Sequence, residues 1–300
     1  TTQALNNQSI PHESVFIEFN PKVVEISNLL HDRNDHPKDV RDYNSNEHFD
    51  LVVAGAPCFT ANMRVYTTLG YKSIKEITPG YEVMTHTGNF QKVLNHFENG
   101  VQNIWTIKTN STILETTQNH LFWTTRKVKT WNKEKRNYDI SFSDPEWVAT
   151  DKLTVSHYIG MPINTRADKS ELTDEELFIK GKWLYKAIKF DVLNLPPAQL
   201  KKYLEGYFTK CFFSERDQSW EVKSSNYDKL LSLGQAIVKA FNKPYTIRKS
   251  RSWFILSFCI TDKKVHSFIK NGYMWAPVRE VKQTEREEKV YDIEVDNDHS

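Results

Sequence analysis

The stretch that decides the fold runs from Cys58 to His120. It opens CFTANMRVYT (residues 58–67), turns through Gly70 and closes on TQNH (residues 117–120). Segments inside it are rich in β-branched and aromatic residues, and glycine, proline and asparagine separate them. Such segments, roughly alternating in polarity, are typical of half-buried strands joined by turns. The sequence therefore predicts an all-β domain with a cysteine at its head.

The individual strands follow from the same pattern. Ser73–Ile77 is predicted as one helical turn, and Gly100 is assigned to a turn between strands. The predicted strands are 64–67, 82–86, 104–108 and 111–115.

The residue types at the two ends of this stretch indicate a chemistry. The thiol of Cys58 can attack the carbonyl immediately before it and convert the Pro57–Cys58 amide to a thioester. With an ordinary pKa of about 8.5 the thiol needs activation, and the amide nitrogen needs an acid in order to leave. His120 has a suitable pKa for that acid, and Thr117 could hydrogen-bond the scissile amide or its oxyanion. The alternative is that Thr117 and His120 are only a hydrogen-bonded turn pair.

Three motifs in this order resemble an intein, a self-excising protein segment. They are the cysteine at residue 58, the Thr-x-x-His box at residues 117–120, and VYDIEV at residues 290–295, followed by DHS at 298–300. The resemblance implies the Hedgehog/intein (Hint) fold, with residues 147–148 and 158–163 matching its closing strands. It also implies autocatalytic protein splicing, with no cofactor and no external substrate.

The resemblance also implies roles near the end of the chain. Asp292 would hold or exchange the proton of the Cys58 thiol, and His299 would assist a later cyclisation step. The alternative for Asp292 is a strand-edge carboxylate. Because the chain lacks an initial Met and stops at Ser300, we expect a fragment without the terminal splicing motif, able to perform the first step at most.

Residues 1–57 have a different pattern. Apolar runs at 14–17 and 49–53 flank a helical pattern that begins at Pro21, which suggests a βαβ-type unit. The run DLVVAGAPC, ending at Cys58, resembles the strand and Pro-Cys loop of DNA cytosine-5 methyltransferases. That resemblance implies S-adenosylmethionine as the host's cofactor.

Two carboxylates are the implied cofactor contacts. Glu18 would hold the ribose of S-adenosylmethionine and Asp39 would face its adenine. The alternative is that both are ordinary solvated carboxylates. After Pro-Cys the methyltransferase pattern breaks, since Phe59-Thr60 replaces its Gln and Gly-Phe-Ser turn. An intein inserted between Pro57 and the host cysteine explains the break.

From Glu171 the periodicity becomes helical. Two helices are predicted at 177–187 and 204–212, followed by an amphipathic helix at 227–241. The first two resemble the paired helices of LAGLIDADG homing endonucleases, in which a glycine, here Gly181 and Gly206, allows close packing.

The metal-binding acids of that family are absent. Lys186 and Cys211 stand where its aspartates should be, and Mg²⁺ requires hard oxygen ligands. We therefore predict a degenerate endonuclease with no metal site. A basic set could still contact phosphate or form a solvated face: Lys239, Lys243, Arg248, Lys249 and Arg251.

The predicted fold is thus multidomain. Residues 1–57 form a partial α/β methyltransferase-like segment, residues 58–165 and 286–300 an all-β Hint domain, and residues 166–285 an inserted α/β LAGLIDADG-like domain. The rival interpretations are a working methyltransferase, an active homing endonuclease and a non-catalytic DNA-binding module in the insert.

Composition limits the partners. The chain has 300 residues, a net charge of +2 and 39% hydrophobic residues, as expected for a core-forming protein without a strong electrostatic attraction to nucleic acid or membranes. Three widely spaced cysteines form neither a disulfide framework nor a zinc site, which favours a reducing cytoplasm. We expect a cytoplasmic monomer, with DNA as the partner of the host and of the insert.

Overall fold

Two long antiparallel strands dominate the computed structural model of the chain. Strand β5 (Phe90–Thr109) has 20 residues and strand β16 (Tyr273–Val295) has 23, and they pair along most of their lengths. The structure describes residues 24–25, 27–29, 34–37, 57–183, 190–261 and 266–297. The chain divides into two compact units, Thr1–Gly55 and Ala56–Ser300.

In the first unit, the described residues include part of the helix predicted after Pro21. Residues 24–25 and 27–29 are helical, and Val24 is buried. The side chain of Asn28 bonds both backbone polar groups of Asp35, donating to its carbonyl at 2.9 Å and accepting from its N–H at 3.0 Å. The apolar runs at 14–17 and 49–53 lie outside the described residues.

The second unit is built on a 12-stranded antiparallel network. The strands are β1 Phe59–Thr60, β2 Arg64–Thr67, β3 Gly70–Ser73, β4 Glu82–Met84, β5 Phe90–Thr109, β6 Ile113–Thr116, β7 Leu121–Asn132, β8 Asn137–Phe142, β9 Glu146–Ala149, β10 His157–Pro162, β15 Phe268–Lys270 and β16 Tyr273–Val295. The main path through the network runs β3-β2-β4-β5-β6-β1-β16-β10-β7-β8, with β9 paired to β7 and β15 to β16. Two short 3₁₀ helices, Ile74–Glu76 and Thr150–Lys152, lie in its connections.

Strand β16 connects the residues before 297 to the segment that begins at Cys58. Its first part pairs with β10, from Pro162↔Tyr273 to Tyr158↔Pro277. Its last part pairs with β1, where Phe59 lies opposite Tyr291. Residues 286–295 therefore belong to the same sheet network as residue 58.

The chain leaves and re-enters this network at adjacent points. The N–H of Ile163 donates to the carbonyl of Gly272 at 2.9 Å, so residues 163 and 272 are neighbours although the sequence between them is long. Strand β16 starts at Tyr273, inside the range 166–285 that the sequence assigns to the insert. Between residues 279 and 289 the sequence lacks the alternation of apolar and polar residues that predicts a strand, because side chains on both faces are mostly exposed and charged there.

The intervening segment is mixed α/β. Helices α1 (Asp174–Trp183), α2 (Phe190–Leu193), α3 (Pro197–Phe208) and α4 (Tyr227–Phe241) accompany a second, four-stranded sheet. Its order is β11-β12-β14-β13, formed by β11 Phe212–Ser214, β12 Ser219–Ser224, β13 Tyr245–Ser250 and β14 Trp253–Cys259.

One hydrophobic core joins this segment to the large network. Tyr203 of α3, Leu233 of α4 and Leu256 of β14 are buried in the same cluster as Tyr66 of β2 and Met274 of β16. Burial of apolar side chains in such a core is the dominant favourable contribution to the free energy of folding.

Helices α1 and α3 approach each other closely at two glycines. A Cβ added at Gly181 would collide with the backbone carbonyl of Tyr203, and one at Gly206 with the carbonyl of Phe178. Only glycine fits at such a crossing, because any side chain would force the backbones apart. The close packing expected at Gly181 and Gly206 is present. Helix α3 ends at Phe208, so Cys211 lies after the helix rather than within it as the 204–212 prediction had it.

No helix in the described part of the chain is long and apolar enough to cross a membrane.

Candidate functional site

Cys58 lies at the entrance to β1, in the middle of the large network. Its neighbour Phe59 pairs with Thr116 of β6 on one side and Tyr291 of β16 on the other. The Cys58 side chain is 1% exposed and packs with Ile104 and Val290. A nucleophile at this position is shielded from bulk water.

The amide of Cys58 is held by the turn after β6. Its N–H donates to the Thr117 hydroxyl at 3.0 Å. Its carbonyl accepts from the Thr117 N–H at 3.0 Å and from the Thr116 hydroxyl at 2.9 Å. Thr117 therefore fixes the nitrogen of the Pro57–Cys58 peptide bond, the atom that leaves in an acyl shift.

His120 ends the same turn. Its N–H donates to the Thr117 carbonyl at 3.3 Å, and its own carbonyl accepts from the Thr150 N–H at 2.9 Å. Its ring packs against Phe59 and Phe122, with centroid distances of 4.0 and 4.9 Å. These contacts hold the imidazole in one orientation.

The surroundings of His120 determine its protonation. Burial lowers the pKa of the ring from its usual 6.5 to about 4, and a hydrogen bond to the Pro57 backbone opposes this shift. Since proline has no N–H, that bond must go to the Pro57 carbonyl. Nδ1 has no partner among the described residues, which leaves Nε2 as the donor. At neutral pH an uncharged ring thus donates to the carbonyl that the thiol would attack.

Asp292 lies near the thiol on β16. Its Oδ1 accepts from the Ile293 N–H at 2.9 Å. Burial raises the pKa of the Asp292 carboxyl, while the hydrogen bond from Ile293 lowers it. Burial likewise raises the pKa of the Cys58 thiol, and the charge of Asp292 raises it further. A carboxylate of raised pKa beside a thiol is suited to accepting its proton.

Sequence reasoning missed one residue of this site. The side-chain amide of Asn99 donates to Sγ of Cys58 at 3.1 Å. This hydrogen bond lowers the pKa of the thiol, against burial and Asp292. The available signal was the Asn99–Gly100 pair inside an otherwise strand-like run, where the local pattern predicts a turn.

The structure therefore brings Cys58, Thr117, His120 and Asp292 together. The other predicted site residues, Glu18, Asp39 and His299, lie outside the described residues, as does Lys186. Within the described ranges, no group of three or more His, Cys, Asp or Glu side chains is arranged to hold a metal ion.

Comparison with known proteins gives matches of limited extent. No family model matches the chain. The ATP-dependent DNA helicase Hel308 of Thermococcus kodakarensis is 28% identical over 144 residues, which cover 41% of this chain but only 13% of the helicase.

Two solved structures of inteins are also similar. A mutant of the Ssp DnaB mini-intein is 12% identical with a TM-score of 0.35, and the match covers 80% of this chain and 89% of that one. The gp41-1 intein is 20% identical with a TM-score of 0.23, covering 31% of this chain and 84% of that one. At these TM-scores the function has to be argued from the site itself.

The site geometry permits an intramolecular acyl transfer. The nucleophile is attached to the residue whose amide it attacks, so no second reactant has to be bound. The Pro57–Cys58 peptide is contacted at both ends, its N–H by Thr117 and its carbonyl by His120. This differs from the role expected for His120, since a neutral imidazole is a hydrogen-bond donor rather than a strong acid.

Proposed function

We propose that the segment beginning at Cys58 is an intein, and that it starts protein splicing with an N-to-S acyl shift at the Pro57–Cys58 bond. The observation that carries this proposal is the pair of hydrogen bonds that hold the Pro57–Cys58 peptide at both ends. The Thr117 hydroxyl accepts from the amide nitrogen and His120 donates to the carbonyl, beside a buried thiol.

The step balances without a cofactor. Sγ of Cys58 forms a bond to the carbonyl carbon of Pro57 while the thiol proton passes to Asp292. The carbonyl oxygen gains negative charge in the tetrahedral intermediate, and the His120 N–H stabilises it. The oxyanion then re-forms the carbonyl, the carbon–nitrogen bond breaks, and the nitrogen takes up the proton that Asp292 received from the thiol. The product is a thioester with a free amine at residue 58.

The host assignment extends this proposal. We infer that residues 1–57 belong to a DNA cytosine-5 methyltransferase that uses S-adenosylmethionine, with Glu18 and Asp39 as cofactor contacts. Splicing would then restore that host, and DNA would be its substrate. The support is the DLVVAGAPC run that ends at Cys58 and the break in the methyltransferase pattern directly after it. Later splicing steps, including the assistance by His299, are part of the same proposal.

For the segment between Ile163 and Gly272, we propose a LAGLIDADG-like insert that no longer cuts DNA. Its support is the crossing of α1 and α3 at Gly181 and Gly206. Burial raises the pKa of the Cys211 thiol to about 11, so Cys211 offers a protonated sulfur where Mg²⁺ needs oxygen. Chelator-sensitive cleavage of the uninterrupted host gene by the purified protein with Mg²⁺ would refute this assignment.

The acyl shift can be tested by trapping its thioester. A strong thiol such as dithiothreitol should split the chain into a fragment ending at Pro57 and one beginning at Cys58, identified by intact-mass spectrometry. Cys58→Ala should abolish this cleavage. Cys211→Ala and Cys259→Ala are matched controls, since both are free thiols away from the site, and they should cleave normally. Cleavage that persists in Cys58→Ala would refute the proposal.

A further inference from the structure

A β-bulge interrupts the pairing of the two longest strands beside Cys58. In the register of β5 with β16, Val101 pairs with Lys289 and Glu98 pairs with Tyr291. Two residues of β5, Asn99 and Gly100, therefore face one residue of β16. Gly100 has φ of 73°, the left-handed conformation that favours glycine in such bulges.

The bulge changes the direction of the side chains near it. Side chains on a regular strand alternate between the two faces, so one extra residue reverses the face of the residues after it. Bulges occur often next to active sites, where they re-aim a side chain. Here the re-aimed side chain is Asn99, whose amide nitrogen lies 3.1 Å from Sγ of Cys58.

We propose that Asn99 is a further catalytic residue of the acyl shift, and that the Asn99–Gly100 bulge is the feature that aims its amide at the Cys58 thiol. This inference rests on the proposed splicing function. The amide has two effects on the thiol. It fixes the position of Sγ, and it stabilises the thiolate that forms as the proton leaves, since a thiolate accepts a hydrogen bond more strongly than a thiol.

The neighbouring groups explain why such a donor is needed. The site is buried and Asp292 adds a negative charge, and both disfavour the thiolate. Because Asp292 is the proposed proton acceptor, its carboxylate has to lie beside the thiol. Its charge, which disfavours the thiolate, therefore has to be opposed by another group. The Asn99 amide opposes it, because its hydrogen bond favours the charged form of the thiol.

The test is the pH dependence of thiol-induced cleavage. Asn99→Ala should slow cleavage at pH 7 by about tenfold to hundredfold, the usual effect of losing a hydrogen bond to a charged group. It should also move the midpoint of the pH–rate profile to higher pH. Asn99→Asp, of nearly the same shape, should be slower still, because it adds a second carboxylate beside the thiol.

The strand supplies a matched control. Asn95 lies on β5 as well, and its amide bonds Glu294 of β16 at the exposed surface. Asn95→Ala should keep the wild-type rate and midpoint. Gly100→Ala tests the bulge with Asn99 intact. A Cβ there meets no atom within 4 Å but is strained by the positive φ, so cleavage should slow. Gly80→Ala has the same strain and open space away from the thiol, and it should cleave normally.

The outcomes separate this inference from the function on which it rests. If Cys58→Ala abolishes cleavage but Asn99→Ala and Asn99→Asp both keep the wild-type midpoint, Asn99 has no catalytic role and the splicing proposal stands. If Cys58→Ala still cleaves, the splicing proposal itself is wrong. Tryptophan fluorescence melting curves establish that each variant is folded; if Asn99→Ala does not fold, the nearly isosteric Asn99→Asp decides the result.

Discussion

The ring of His120 makes the stability of the folded chain depend on pH in a predictable way. Burial lowers its pKa from 6.5 to about 4, so the folded protein keeps the ring neutral where the unfolded chain would protonate it. A lowered pKa contributes stability that is fully present above pH 6.5. That contribution is lost as the pH falls from 6.5 through 4.

The size of the effect follows from the shift. Each unit of pKa corresponds to about 1.4 kcal/mol, so lowering the pH from 7.5 to 4.5 should remove about 2 to 3 kcal/mol. This is a substantial part of the roughly 5–15 kcal/mol that stabilises a typical domain. Replacing His120 with glutamine, which does not titrate, should remove this part of the pH dependence.

Urea unfolding followed by tryptophan fluorescence measures the effect. All eight tryptophans lie between Trp105 and Trp275, so the signal reports only on the unit from Ala56 to Ser300. Between pH 7.5 and 4.5, the free energy of unfolding of the wild type should fall by about 2 to 3 kcal/mol more than that of His120→Gln. His266→Gln, at an exposed position, should follow the wild type. Parallel curves for wild type and His120→Gln would show that the ring is not held neutral.

Three further substitutions test other contacts. Thr117→Ala removes the acceptor of the Cys58 N–H and should slow thiol-induced cleavage about tenfold, while Thr117→Ser keeps the hydroxyl and should restore most of the rate. Asp292→Asn removes a negative charge and should lower the pKa of the Cys58 thiol, measured by thiolate absorbance. It should nevertheless slow cleavage about a hundredfold, because the proton acceptor is lost. Faster cleavage would contradict that role. Gly206→Ala should destabilise the chain by about 1–3 kcal/mol in urea unfolding, because its Cβ meets the carbonyl of Phe178, and an unchanged midpoint would show that the crossing of α1 and α3 can relax.

Local patterns predicted local structure well. The β-branched run at Arg64–Thr67 is strand β2, and the apolar spacing at Tyr227–Phe241 is helix α4, both with the bounds predicted. In each case the pattern covers the whole element. The burial differs from that of an amphipathic helix, however, because α4 is buried at every position from Leu230 to Lys239 rather than on one face. The predicted turn at Ser73–Ile77 is a 3₁₀ helix at Ile74–Glu76.

Features that depend on pairing between distant strands could not be predicted in this way. The turn predicted at Gly100 is wrong: the residue lies in the middle of β5, because its positive φ is accommodated by a bulge opposite β16. The role of Asn99 was missed for the same reason. Its direction depends on the register with a strand that begins at Tyr273, and no local pattern contains that register.

The sheet network, rather than any single loop, holds the site together. Cys58 directly precedes β1, and Thr117 and His120 follow β6. Asn99 belongs to β5 and Asp292 to β16. Strand β1 pairs with β6 and β16, and β5 also pairs with β6 and β16. The segment from Ile163 to Gly272 leaves and returns at residues joined by a backbone hydrogen bond. Because the ends of that segment are fixed by the pairing of β10 with β16, its length adds only slowly to the entropy cost of closing the loop. A large α/β segment can therefore occupy this position without moving the strands that bring the thiol and its four partners together.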